Sequence, residues 1–163
     1  MQVLFLYTPI RSTPKHRGLA EQVVRKRLET QGWLVWRSSL INITRSEDVY
    51  SRVLRKYLLL EELLERHNPG SIEELRYLNE VHHGMPDFLC FRRGGFLFVE
   101  CKFCNEQLTI GQKKCIPKLI ALGFPVEVHK IVSHTTKVRK AIVDLESGEK
   151  FVMEKQLRLK RKY

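Results

Sequence analysis

Between Pro86 and Lys102 the chain carries two runs of strand-forming residues, Pro86 to Arg92 and Phe96 to Lys102, joined by Gly94-Gly95. Aromatic and β-branched side chains fit a pleated surface, and a glycine pair accepts the positive φ angles of a tight hairpin turn. This hairpin constrains the fold more than any other segment, because period-two alternation fixes which side chains share a face. A two-residue turn at Gly94-Gly95 makes facing positions sum to 189, setting Asp87 against Lys102 and Leu89 against Glu100. Asp87, Glu100 and Lys102 then project from one side of the sheet. An ordinary core face cannot hold three charged groups, since burying unpaired charge is heavily penalised. The cluster needs solvent or a multivalent cation, and hard oxygen ligands in a cleft favour Mg²⁺ or Mn²⁺. A divalent ion on two carboxylates supplies what phosphodiester hydrolysis demands, and the lysine orients water or neutralises the transition state. A plain cross-strand charge ladder, worth about 0.2–1 kcal/mol, uses the same residues. The proline before Asp87 and the E-x-K spacing of Glu100 and Lys102 favour the chemical reading.

Around this hairpin the sequence alternates helical and strand periods. Met1 to Thr8 reads as a short strand, His16 to Gln31 as a helix with Gly32 as its stop, and Trp33 to Arg37 as a second strand. Thr44 with Glu47 predicts a capping box opening a long helix to Arg66; Asn68-Pro69-Gly70 breaks it, and Ser71 with Glu74 predicts a second box opening a helix to about Asn79. A third box, Thr109 with Gln112, predicts a helix to about Leu122, kinked at Pro117, before a strand from Phe124 to Val132. Val138 to Glu154 predicts a hairpin around Ser147-Gly148, and the last nine residues carry five basic side chains.

At 163 residues the chain has room for a single domain spanning 1–163. Its 29 Lys and Arg against 18 Asp and Glu give a net charge of +11, the footprint of a polyanion binder, with nucleic acid first and an anionic membrane surface second. No apolar run approaches the roughly 18 residues needed to span a bilayer, and Val3 to Tyr7 is too short for a secretion signal. Cys90, Cys101, Cys104 and Cys115 make a poor disulfide framework, so a reducing cytoplasm is expected. Cys101 and Cys104 form a C-x-x-C without a second pair, which favours small buried hydrophobes over zinc ligands.

Gly84-Met85-Pro86-Asp87, Glu100-Cys101-Lys102 and Gln112 resemble the PD-(D/E)XK nuclease superfamily. Within it, Gly84 to Val132 resembles the VRR-NUC domain. Arg17-Gly18-Leu19-Ala20-Glu21, Gly32-Trp33 and Arg37-Ser38 resemble the start of archaeal Holliday-junction resolvases. The resemblance implies an α/β, restriction-endonuclease-like fold: a mixed β-sheet flanked by helices. It also implies Mg²⁺-dependent DNA cleavage, metal ligation by Asp87 and Glu100, and a catalytic Lys102. Glu21 matches the acidic residue these families place on their first helix as part of the metal or water network, with Glu29 a weaker rival. Gln112 matches the glutamine after the lysine strand, although its capping position already gives it a structural job. The chain departs from compact resolvases in a helical insertion at about 42–80, suited to a dimer interface, a lid or a wedge for branched DNA.

The expectation is a homodimeric, metal-dependent endonuclease for branched DNA. A nuclease for linear or single-stranded DNA and a non-cleaving nucleic-acid-binding module of the same fold are its rivals, and a cysteine-based metal or redox protein is a weaker third. Arg17, Arg25, Lys113, Lys114 and, in the tail from residue 155, Arg158, Lys160, Arg161 and Lys162 are the candidates to track a phosphate backbone. His82 and His83 read as solvated loop residues more readily than as phosphate contacts, and the stripe through Tyr57 reads as core or dimer interface.

Overall fold

A computed structural model of the protein describes residues 1–11 and 16–156. The tail candidates Arg158, Lys160, Arg161 and Lys162 lie outside the described residues. The apolar opening forms β1 (Gln2–Ile10), and the helical period after it forms α1 (Leu19–Thr30), which ends just before Gly32 at φ 84°. β2 (Leu34–Arg37) follows, then two helices, α2 (Ser51–His67) and α3 (Ser71–His82). The hairpin is β3 (Phe88–Arg92) and β4 (Gly95–Phe103); α4 (Ile110–Ala121), β5 (Val126–Ser133), β6 (Val138–Asp144) and β7 (Lys150–Lys155) complete the order. The seven strands form one mixed sheet in the order β2-β3-β4-β5-β1-β6-β7. β5 lies parallel to both β4 and β1, and the outer strands pair antiparallel. The β4-α4-β5 unit is a crossover between parallel neighbours, which needs a helix to span it.

Four local expectations are corrected. The turn is one residue earlier than expected: Arg93 and Gly94 take φ 51° and 79°, as a type I′ turn requires at both centres, and Gly95 joins β4. Arg92 therefore faces Gly95 and Leu89 faces Phe98, so facing positions sum to 187 and Asp87 comes level with Glu100 instead of Lys102. A shift of two preserves the face, so the cluster survives the error.

The long helix starts at Ser51, with Ile43–Arg45 a short 3₁₀ turn. Thr44 does not cap it, because its hydroxyl donates to Glu61 and accepts from Arg76, inside a buried polar network. Ser71 makes no cap either: Gly70, at φ 77°, holds that position, and Ser71 is buried in the helix with its hydroxyl unpartnered among the described residues. α3 continues past Asn79 to His82, where His83 stops it at φ 44°. The third box is present in full, and α4 runs through Pro117 to Ala121.

Apolar side chains lie on both faces of the sheet. On one face Trp36, Leu89, Phe98 and Val128 pack with Leu60 and Leu64 of α2, Leu75 of α3 and Leu119 of α4. On the other, Phe88, Cys90, Val99 and Cys101 pack with Ala20, Val24 and Leu28 of α1. Tyr57 belongs to the first core and its hydroxyl donates to the Arg37 carbonyl, so the α2 stripe is core. The insertion thus roofs the face that carries Glu100 and Lys102.

Candidate active site

Glu100 interrupts an apolar strand and is only 2% exposed. Its Oε1 accepts from Lys102 Nζ at 2.8 Å and from Gln112 Nε2 at 2.5 Å. Its Oε2 is buried and has no hydrogen-bond partner among the described residues. Burial, reinforced by the charge of Asp87, pushes the Glu100 carboxyl up to about 7. Asp87 sits at the entrance to β3 and accepts from the Cys101 backbone N–H at 2.8 Å through Oδ2. Burial raises its carboxyl above the usual range, the Cys101 hydrogen bond opposes this, and the field of Glu21 adds to it.

The Gln112 side chain makes two hydrogen bonds, one inside the capping box and one to Glu100. Its side-chain oxygen accepts from the Thr109 N–H at 2.9 Å, closing the capping box, and its side-chain nitrogen points at Glu100. The amide that starts α4 therefore also holds the buried carboxylate. This coupling depends on a close backbone approach. A Cβ on Gly84 would lie 2.2 Å from the Gly111 carbonyl carbon and 2.7 Å from the Gln112 nitrogen. Glycine at 84 lets the segment leading into Asp87 lie directly on the first turn of α4.

The other candidates are less closely assembled. Glu21 stands on α1, against the opposite face, and lines a cavity of about 400 Å³ with Arg17, Cys101 and Glu106. Its field reaches Asp87, but among the described residues no three His, Cys, Asp or Glu side chains converge as a ready-made metal cluster. Glu29, its rival, is exposed and bound to Arg25 at 2.9 Å, which also engages one of the expected DNA contacts. Arg17, Lys113 and Lys114 are exposed. The cysteines are all free. Burial pushes the Cys90 thiol up to about 12, Cys115 up to about 11, and Cys101 higher still. Thiols held protonated at neutral pH are poor nucleophiles, which suits Cys90, Cys101 and Cys115 as small buried hydrophobes. Sequence reading missed Lys130 of β5, which pairs with Lys102; that neighbour is set by a parallel crossover, and no local signal announces it.

A mixed sheet flanked by helices, with an aspartate, a buried glutamate and a lysine on one face of a hairpin, defines a restriction-endonuclease-like nuclease fold. Residues 15–132, well over half of the chain, match the VRR-NUC domain, and the protein belongs to that family. No curated protein sequence matches the chain. Membership makes the function nuclease-type: hydrolysis, with DNA as the substrate class. Among the described residues no helix is long and apolar enough to cross a membrane.

Proposed function

We propose that the protein is a divalent-cation-dependent endodeoxyribonuclease, selective for branched DNA and working as a homodimer. The observation that carries the metal-dependent reading is the orphaned oxygen of Glu100. A carboxylate oxygen buried without a partner costs of order 1–3 kcal/mol or more, which is unfavourable unless something else satisfies it. Glu100 and Asp87 are hard oxygen donors, and their small number fits a cation that keeps several waters and takes substrate phosphate as a further ligand. Mg²⁺ or Mn²⁺ held by Asp87 and Glu100, with Glu21 near enough to act on the surrounding water, would supply Lewis-acid charge stabilisation and a lowered water pKa.

The chain's own residues supply the rest. Lys102 Nζ stands 2.8 Å from Glu100, placed to donate to an oxygen of the attacked phosphate and to offset charge as it develops. Gln112 holds Glu100 in one orientation, and the Cys101 N–H does the same for Asp87, so both carboxylates are set before substrate arrives.

The resolvase-like start of α1 and the helical roof over the active face support a branched substrate, since two sites related by a dyad suit a four-way junction. The exposed apolar edge of β7, with Phe151 at 52% and Met153 at 56%, supports self-association. Four free cysteines suit a reducing, cytoplasmic location. A cleavage panel of junction, flap, duplex and single-stranded DNA, with Mg²⁺, Mn²⁺ or EDTA, tests the proposal. Cation-dependent cutting strongest on the junction is expected. Equal cutting of linear DNA would overturn branch selectivity, and binding without cutting under every condition would favour the non-cleaving module.

A further inference from the structure

On the face that carries Glu100 and Lys102, the next strand presents another lysine. β4 and β5 run parallel with Lys102 opposite Lys130, so the two side chains rise from neighbouring strands roughly 4.8 Å apart. Lys130 is 8% exposed. Lys102 has a carboxylate partner in Glu100, whereas Lys130 has no ion pair or hydrogen bond among the described residues. It lines a cavity of about 380 Å³ together with Lys113 of α4, Lys150 of β7 and Tyr7 of β1. Lys150 Nζ stands 4.3 Å from the centre of the Tyr7 ring.

The carboxylates nearby are already engaged. Asp144 also lines the cavity, but it accepts from the Met1 ammonium at 2.9 Å and from the Glu146 and Ser147 N–H groups. Glu106, whose field reaches Lys130, accepts from the Phe103 N–H at 2.8 Å. Three lysines from three separate elements thus share a recess, and the Lys130 side chain, largely covered along its length, has no counter-ion among the described residues. Burying a charge without a partner is expensive, and burial, then Lys150 and Lys102, hold the Lys130 ammonium below its ordinary value. An anion entering the recess removes that cost. The volume falls within the range of sites that hold small ligands.

We propose that this lysine-lined recess is a phosphate subsite for the strand being cut, seating a phosphate next to the one attacked beside Lys102. The inference rests on the nuclease reading and adds Lys130 and Lys150 as substrate-positioning residues. A terminal phosphomonoester and an internal phosphodiester share this chemistry, and the experiment separates them.

The test is a fluorescence-anisotropy titration in EDTA, using short single-stranded oligonucleotides with and without a terminal phosphate, over a series of salt concentrations. The proteins are the wild type, Lys130→Gln, Lys150→Gln and, as an equal loss of charge on α1, Lys26→Gln. Lys150 is exposed on an edge strand, so its variant keeps the test valid if the Lys130 variant melts early by circular dichroism. Lys130→Gln and Lys150→Gln are each expected to weaken binding roughly three- to tenfold and to flatten the salt slope by about 0.7–1, one phosphate contact each. Lys26→Gln should stay within about twofold. A loss confined to phosphorylated ends identifies a terminal phosphate, and an equal loss on both oligonucleotides identifies an internal one. If both folded variants bind like the wild type with an unchanged slope, the subsite is overturned. Wild-type cleavage of a four-way junction with Mn²⁺ is followed in parallel: cutting in that case leaves the nuclease reading standing alone, while binding every DNA form without cutting any removes that reading and leaves the subsite to the titration. A wild type that binds neither oligonucleotide overturns the subsite and leaves the nuclease reading to the junction assay.

Discussion

To ligate a cation as proposed, Glu100 has to be an anion in a place where almost no water reaches it, and its neighbours bear directly on that charge. Lys102 and Gln112 both donate to one oxygen, yet the carboxyl still rises to about 7. An acid whose pKa is higher folded than unfolded binds protons more tightly in the native state, so stability falls as pH rises between the two values. The metal-free protein should therefore lose melting temperature from about pH 4.5 to about 7, and Glu100→Gln should flatten that part of the curve. Thermal melts across that range in EDTA check this, and equal slopes for the two proteins would contradict it. Asp87→Asn and Lys102→Ala should each cut cleavage at least about a hundredfold while leaving DNA affinity within about threefold, because affinity comes from basic residues spread over the surface. Single-turnover assays beside binding titrations separate the two effects.

Among the elements, the first turn of α4 matters most to the site. It is held by the Thr109–Gln112 box and lies against Gly84, so the chain entering β3 and the helix after β4 are fixed to one another. Gly84→Ala would drive a methyl group into the Gly111 carbonyl, with no side-chain end to yield. Overpacking of this kind costs about 1–3 kcal/mol. Urea denaturation should show that loss, and cleavage at a temperature where the variant is still folded should fall further than for Gly111→Ala, whose added Cβ meets its nearest atom at 3.0 Å. The hairpin carries a second lesson about elements. Gly94-Gly95 marked the bend, but three consecutive residues, Arg93, Gly94 and Gly95, were able to form it, and local sequence does not choose between two pairs. In the observed register Leu89 stands directly opposite Phe98, in the core beneath α2 and α4. Thr44 fails as a cap for a related reason, since the Arg76–Glu61 network that takes its hydroxyl comes from residues far along the chain.

At the scale of the whole molecule, if the two carboxylates hold a cation as proposed, ligand binding should return some of the folding energy spent on burying them. Mg²⁺ or Mn²⁺ should raise the melting temperature of the wild type in a concentration-dependent way, and Asp87→Asn should abolish the shift. A differential scanning measurement reads this without any substrate, and an unshifted wild type at millimolar cation would count against Asp87 and Glu100 as ligands. Much of this was legible beforehand, because it depends on short-range periodicities. The order of strands and helices, the shared face of Asp87, Glu100 and Lys102, the box at Thr109 and the positive charge all follow from neighbours within a few positions. The remainder required distant segments to meet. Sequence alone determined which side chains stand on one face of the hairpin, because strand geometry alternates whatever the context. Only the tertiary structure decided that Glu100 is nearly dry, that Gln112 reaches it, that Glu21 stands across the sheet and that Lys130 neighbours Lys102, because burial and parallel pairing are set by chain segments tens of residues apart.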